Sequence, residues 1–358
     1  MKKCTTAIIL LVLLHVNLAA AKSAPPLQQC VAKVIGTALT QLKAHPRNCQ
    51  LACLTNAGYV TYEGQSTLAA LDLLAQETNI SVGKGNLLQV HSADDETLWF
   101  AFVFKKSPKD LLLTYIKPAG DTVEATAPMN VYVDINQSFD EFTHVLGKKA
   151  FALVTFANGW ADKIPKDLLS GALWHDHLCS GVFSGLFTVN FIRAHLPLKE
   201  GERYVYIGAP AWCQDDYICR VLNLTPGKHG YYTMGYPWSR PWTTAEKSYP
   251  NLGGIIVRFN SATKSGDAHL LQFDWREEDF KESIAIPELS LNWGKNPWLH
   301  VRYNRFFMQH LDHPEMFVSI LKRKKLTSQQ ALNRIVDMGA NPLQEMLGPD
   351  DTWVPERD

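Results

Sequence analysis

The chain has 358 residues, 35 basic and 35 acidic side chains, 46% apolar residues and seven cysteines. Such proportions are ordinary for a globular protein and exclude whole-chain disorder, collagen and coiled coil. A formal net charge of zero excludes a global electrostatic attraction for nucleic acid or an anionic membrane.

Residues 1–21 read as a secretory signal. Lys2 and Lys3 form a basic start, Ala7–Leu14 is an apolar run, and Ala19-Ala20-Ala21 supplies small residues for cleavage near Ala21. An N-terminal anchor is the alternative, but the apolar run is too short for a bilayer core of about 30 Å. No apolar run of spanning length follows, so no integral membrane segment is expected after signal removal. The expected location is the periplasm or the exterior. Loss of the leader removes Cys4, Lys2 and Lys3, which leaves six cysteines and 33 basic against 35 acidic residues, net −2. In an oxidising compartment an even set of thiols is first suspected of pairing. Cys30, Cys49 and Cys53 lie in one half and Cys179, Cys213 and Cys219 in the other. Either one bridge crosses between halves, or some thiols stay free or bind metal.

Apolar residues at helical spacing predict a first helix over Leu27–Leu42, and a second is expected around Leu71–Thr78. Strands are expected at 87–90, 98–104, 111–116 and 130–133. In the second half, a strand at 204–207 and a helix over 216–222 lead to Gly227-Lys228-His229-Gly230. Two further strands at 254–259 and 268–273 are joined through Ser265-Gly266-Asp267. Asp72 precedes Gly83 by eleven residues and Asp216 precedes Gly227 by the same interval; each glycine is followed by lysine and then by a strand. That spacing reads as an internal repeat. From Pro297 the pattern turns helical, at 306–308, 317–321 and 328–338, with Lys322–Lys325 as a solvated basic run between helices. The fold class expected is α+β: two related antiparallel sheet-plus-helix halves and a C-terminal helical extension. The divisions expected are 22–145, 146–296 and 297–358.

Chemistry concentrates in His175-Asp176-His177-Leu178-Cys179. Two imidazoles and a thiol at alternate positions precede a small-and-apolar helix, Ser180–Phe187, in which Gly181 and Gly185 permit close approach by a neighbour. A thiol in the first helical turn faces unsatisfied N–H groups, which favours its thiolate. On an extended approach both histidines would project to one side. Imidazole with thiolate suits a transition metal rather than Mg or Ca. Cys213-Gln214-Asp215-Asp216 begins another helix 34 residues beyond Cys179 and can complete the site if the two helix starts converge. Asp215 and Asp216 are candidates for cofactor binding or for simple capping. Cys219 reads as core, Cys49 and Cys53 as a local disulfide or isolated thiols, and His310 with His313 as a surface pair. Trp212, Trp238 and Trp242 are core aromatics or a flat ligand wall. No nucleophile elbow, phosphate loop or dinucleotide fingerprint is present.

The segments His175-Asp176-His177-Leu178-Cys179-Ser180-Gly181, Cys213-Gln214-Asp215-Asp216 and Thr225-Pro226-Gly227-Lys228 resemble the formylmethanofuran dehydrogenase E-subunit family. The resemblance covers roughly residues 168–273, and Asn56-Ala57-Gly58 with Gly83-Lys84-Gly85-Asn86 looks like a diverged second copy. It implies an α+β core with a metal-binding cleft, with His175, His177, Cys179 and Cys213 as ligands, and Gly227 and Lys228 with the two aspartates as cofactor-binding residues. Two departures stand out. Leu224 occupies the place of a family cysteine, and the family's cysteine-rich zinc-finger tail is absent. Formylmethanofuran oxidation is not inferred for an exported chain. Two functions fit the residues. One is an exported protein that binds a transition metal, zinc or iron, or a metal-bearing cofactor. The other is a thiol- or metal-dependent enzyme with Cys179 as ligand or nucleophile, His177 as base and Asp216 as orienting group. No complete catalytic constellation is visible, which favours binding. The expected partner is a metal ion or small ligand, not nucleic acid, and a homodimer is the assembly left open.

Overall fold

The computed structural model describes residues 26–134, 139–234, 251–286 and 296–348. The leader, Trp238 and Trp242 lie outside the described residues.

The first half begins with helix α1 (Pro26–Leu42), whose buried stripe Val31, Val34, Ile35, Ala38 and Leu42 recurs at helical spacing. Strand β1 (Leu51–Thr55), the short hairpin β2 (Thr61–Tyr62) and β3 (Gln65–Ser66), helix α2 (Ala69–Glu77) and β4 (Leu87–Gln89) follow. Strands β5 (Phe100–Ser107), β6 (Asp110–Ala119), β7 (Thr122–Ala125) and β8 (Met129–Asn130) complete a sheet of order β4-β1-β5-β6-β7, with β8 also on β6. Helices α3 (Phe139–Leu146), α4 (Ala150–Ala161) and α5 (Lys166–Trp174) then lead to the second half.

There α6 (Ser180–His195), β9 (Glu202–Gly208), α7 (Cys213–Val221), β10 (Tyr231–Thr233), β11 (Leu252–Asn260) and β12 (Ser265–Phe273) repeat the order α1-β1-α2-β4-β5-β6, without a counterpart of the β2-β3 hairpin among the described residues. Helices α8 (Glu277–Ser283) and α9 (Leu299–Met308) precede β13 (Val318–Leu326), and α10 (Gln329–Val336) and α11 (Pro342–Leu347) follow it. The second sheet has the order β10-β9-β11-β12-β13. The two sheets thus share one topology. Each is mixed rather than antiparallel throughout, because β4 runs parallel to β1 and β10 parallel to β9. A helix crosses over within each of these pairs, and a crossover returns the chain in the same direction.

The Gly-Lys turns serve the same local purpose in both halves. Each is a single 3-10 turn, Val82–Lys84 and Pro226–Lys228. Lys84 Nζ donates to Asn79 Oδ1 and Lys228 Nζ donates to Asn223 Oδ1, so each lysine ties its turn to the end of the preceding helix. Both turns end in the left-handed region, at Gly85 (φ 72) and at His229 (φ 51). Glycine takes that conformation without a Cβ penalty.

Three apolar clusters order the layers. Helices α1 and α2 cover one face of the first sheet through Val34, Leu74, Cys53 and Phe102. The opposite face shares a core with α4, α6, α7, α9 and the inner face of the second sheet, including Val103, Phe156, Phe187, Tyr217, Phe307 and Ile256. Helices α10 and α11 close the outer face of the second sheet through Leu332, Ile335 and Leu343 against Val257 and Leu270. Among the described residues no helix is long and apolar enough to cross a membrane.

The tail differs from its helical reading. Residues 318–321 of the expected helix at 317–321 and the basic run Lys322–Lys325 belong to β13, which pairs antiparallel with β12. A short apolar run followed by charges does not distinguish helix from strand by periodicity. The open edge of β12 decides it, and lysines on the new edge strand discourage further strand pairing. Residues 131–133, expected as strand, run on irregularly beyond the two-residue β8.

His269 of β12 lies opposite Ile256 of β11 and is 4% exposed. Burial, followed by the neighbouring Arg258 and Arg323, lowers its pKa from the ordinary 6.5, against the opposing pull of Asp267. Below 6.5 the unfolded chain therefore takes up the proton first, and stability falls as pH drops toward the lowered folded value. A melting series from about pH 7 to about pH 5 is expected to show a shallower acid decline for His269→Leu than for the parent.

Candidate metal centre

The site forms where three helix ends meet. His175 is the C-cap of α5, its N–H bonded to Gly171 O, and has helical φ and ψ of −76° and −5°. Asp176 follows with φ 71. The two histidines therefore flank a tight turn rather than sit on an extended approach, and it is the left-handed residue between them that brings both rings to one side. Ring centroids of His175 and His177 are 4.3 Å apart. Leu178 is fully buried, and its N–H donates to Thr155 Oγ1 of α4 at 3.3 Å. Cys179 is then the N-cap of α6.

Cys213 is the first residue of α7. Its position is fixed by its neighbours. Gln214 is fully buried and its Nε2 donates to Tyr206 Oη at 3.1 Å and Gly253 O at 2.9 Å. Asp215 Oδ2 accepts from the Trp212 N–H at 2.9 Å, which caps the helix. Helices α6 and α7 approach closely because two residues lack a Cβ. A Cβ on Gly181 would lie 2.7 Å from Cys213 Cβ, and one on Gly185 would lie 2.8 Å from Gln214 O.

Donor atoms of His175, His177, Cys179 and Cys213 all lie within 4.8 Å of one another. A tetrahedral ion with bonds of about 2.0 Å to nitrogen and about 2.3 Å to sulfur has donor–donor edges of roughly 3.3–3.8 Å. Side-chain shifts of about 1 Å suffice to close such a shell. Each histidine presents Nδ1 to a carboxylate: His175 to Asp216 Oδ2 and His177 to Asp176 Oδ1, both at 2.6 Å. This carboxylate–imidazole arrangement fixes the ring and leaves Nε2 to a metal. His175 Nε2 is buried with no protein hydrogen-bond partner. The chemistry of the donor set and this orphaned nitrogen both fit a transition metal.

Protonation follows the same geometry. The hydrogen bond between the thiols favours the Cys213 thiolate and opposes ionisation of Cys179, so the pair shares one proton. Burial alone would lower the pKa of His175, but Asp216 and Cys213 outweigh it and carry it up to about 9. His177 is raised similarly: burial is overcome by Asp176 and Cys213. Both shifts favour positive charge on the imidazoles beside the Cys213 thiolate.

The remaining residues singled out in the sequence divide. Asp216 joins the centre through His175, whereas Asp215 turns to Trp212 and, at 3.4 Å, to the Tyr231 hydroxyl. Gly227 and Lys228 lie past the opposite end of α7, whose nine residues amount to about 13 Å of helix. Trp212 packs against Phe273 and Trp275 at centroid distances of 6.4 and 5.4 Å. Cys219 is buried, as expected of a core residue, and the described cysteines are all free thiols, including Cys49 (exposed) and Cys53 (buried). Of the alternatives that the sequence leaves open, the described cysteines therefore take the free-thiol one. His313 is exposed and faces Glu315, consistent with a surface residue.

Three contributors escape sequence reasoning. Asp176 is visible in the motif but carries no ligand pattern. Phe151 of α4 packs on His177 with centroids 5.1 Å apart and on His300 at 5.5 Å. His300, 87 residues beyond Cys213, sits in α9 with its Nδ1 against Ser180 Oγ at 2.7 Å. Burial lowers its pKa to about 4, so it is neutral. A lone histidine and a lone phenylalanine at such separations carry no spacing signal.

Residues 174–290 match the family model described as "FmdE, Molybdenum formylmethanofuran dehydrogenase operon". The match contains His175, His177, Cys179 and Cys213 and excludes the first half, α9 and β13. No curated protein matches the chain. Over residues 174–290, then, this chain matches the FmdE family model, consistent with a region similar to the formylmethanofuran dehydrogenase E-subunit family.

Proposed function

We propose that the protein binds a transition metal ion, zinc in first place and iron in second, through His175, His177, Cys179 and Cys213. The observation that carries this reading is the convergence of four soft and borderline donors within 4.8 Å, on two helix starts and one turn. Two nitrogens and two sulfurs in a tetrahedral shell are the donor set of zinc sites and of some iron sites. Four protein ligands fill a tetrahedral ion, whereas a catalytic ion keeps a position open. The centre therefore supports holding a metal more than activating a substrate on it. When bound, the ion would supply positive charge against two thiolates; Asp176 and Asp216 hold the imidazoles in the tautomer that presents Nε2. The leader supports export, and N-terminal sequencing of the protein from a fractionated cell tests cleavage near Ala21.

The decisive measurement is metal content of protein purified without chelator or affinity tag, compared with Cys179→Ala and His177→Ala. The parent is expected to carry close to one equivalent of metal and both variants far less. Equal, negligible metal in all three folded proteins would end the reading.

A further inference from the structure

The start of α6 is held by a residue from much later in the chain. Ser180, the first residue of α6, presents both its N–H and its hydroxyl to His300 Nδ1, at 3.2 and 2.7 Å. A backbone N–H can only donate, so Nδ1 is an acceptor and carries no proton. The hydroxyl then donates to the same nitrogen, and the neutral ring bears its proton on Nε2. Geometry alone fixes the tautomer.

These bonds answer a need created by the metal centre. The opening N–H groups of a helix lack intrahelical partners, and an N-cap oxygen ordinarily satisfies one of them. Here the N-cap is Cys179, and no side-chain oxygen caps α6. Ser180 is 1% exposed, so water does not replace a lost partner there. His300 takes the Ser180 N–H, while the Cys179 sulfur faces Cys213 and the N–H groups of Gly181 and Val182. The same imidazole meets Phe151 edge-on with centroids 5.5 Å apart, and Phe151 packs on His177 at 5.1 Å. His300 thus reaches two of the four candidate ligands through one intermediary each.

We propose that His300 is a positioning residue of the metal centre, setting Cys179 through Ser180 and His177 through Phe151. The proposal rests on the metal-binding reading. It places a determinant of the site ten residues beyond the end of the family match at 290, on a helix that packs against both α4 and α6.

The test uses Co²⁺ as probe in the full-length protein, because its visible bands report ligand geometry and thiolate-to-metal charge transfer. Affinity and spectrum are compared for the parent, His300→Ala, His300→Asn, Ser180→Ala and the Ser180/His300 double alanine variant. His300→Ala is expected to weaken Co²⁺ binding about 10- to 100-fold and to shift the visible bands, as loss of an outer partner does. His300→Asn retains an acceptor near the Nδ1 position and is expected to bind within a few-fold of the parent. Ser180→Ala removes only the hydroxyl and should lose less than His300→Ala. The double variant should be no worse than His300→Ala, since the two residues act through one contact. Parent-like binding and spectrum in His300→Ala would overturn the proposal, as would additive losses in the double variant. If His300→Ala does not fold, stronger binding by His300→Asn than by Ser180→Ala upholds it and the reverse order overturns it. Failure of the parent to bind Co²⁺ would overturn the metal reading itself, and this proposal with it.

Discussion

Cys213→Ala is expected to abolish thiolate-to-metal charge transfer from one of two sulfurs and to weaken metal binding by roughly a hundredfold to a thousandfold. The size follows from apparent free energies of about 10–16 kcal/mol for four-ligand structural zinc sites, shared over four donors. Cys213 is also the thiol whose ionisation the surroundings favour most. The Cys179 thiol donates to it, and His175 and His177 add positive charge. Its removal leaves Cys179 buried at 2% exposure without the partner that shares its proton. The fold is expected to survive, because α7 is fastened by Gln214 and Asp215 rather than by the thiol. Titration of Co²⁺ monitored in the near ultraviolet, with circular dichroism as the folding control, reads the loss. Unchanged charge-transfer intensity in folded Cys213→Ala would remove Cys213 from the ligand set.

Gly181→Ala is the second large effect, and it adds only one carbon. The new Cβ would lie 2.7 Å from Cys213 Cβ, 3.3 Å from its Sγ and 3.4 Å from Cys179 Sγ. Something must move, and α7 has little room to retreat. A Cβ on Gly185 would meet Gln214 O at 2.8 Å, which shows how tightly the next turn of α6 already abuts it. Behind α7, Asp215 sits against Gly208, where an added Cβ would lie 2.2 Å from Oδ1. Overpacking of this kind costs about 1–3 kcal/mol, and here it falls on the gap between the two sulfurs. Metal affinity should therefore drop roughly fivefold to 150-fold. Gly36→Ala is the control. Gly36 lies in α1 with nothing within 4 Å of an added Cβ, and metal binding there should stay at the parent value. Equal affinities in the two glycine variants would show that the separation of α6 and α7 is not set by Gly181.

Much of the centre is legible in the sequence because its residues are local. His175, His177 and Cys179 fall within five positions, directly before an apolar helix, and Cys213 stands next to two aspartates at the start of another. Thiol and imidazole side chains at helix starts carry their chemistry in their identity. The two Gly-Lys turns are equally legible as a repeat, since each combines a fixed interval from an aspartate with a lysine. What the lysines do is not. They fasten turns to Asn79 and Asn223, a contact that needs both residues placed in space. The strand at Val318–Leu326 reads as helix because its pattern is compatible with either, and only the open edge of β12 requires a fifth strand.

Sequence alone determined the element types of most long segments, the repeated helix-turn-strand unit, and the identity of four candidate donor side chains. Periodicity, turn residues and functional groups are properties of neighbouring positions, and neighbours are what a chain lists in order. Tertiary structure decided the convergence of two helix starts, the left-handed turn at Asp176 that brings two imidazoles together, and the carboxylates that orient them. It also decided the place of His300, 120 residues from Ser180. Such pairings depend on how helices pack across a shared core, where the absence of a Cβ at Gly181 and Gly185 sets the distance between sulfurs. No local pattern encodes that distance; the packed core does.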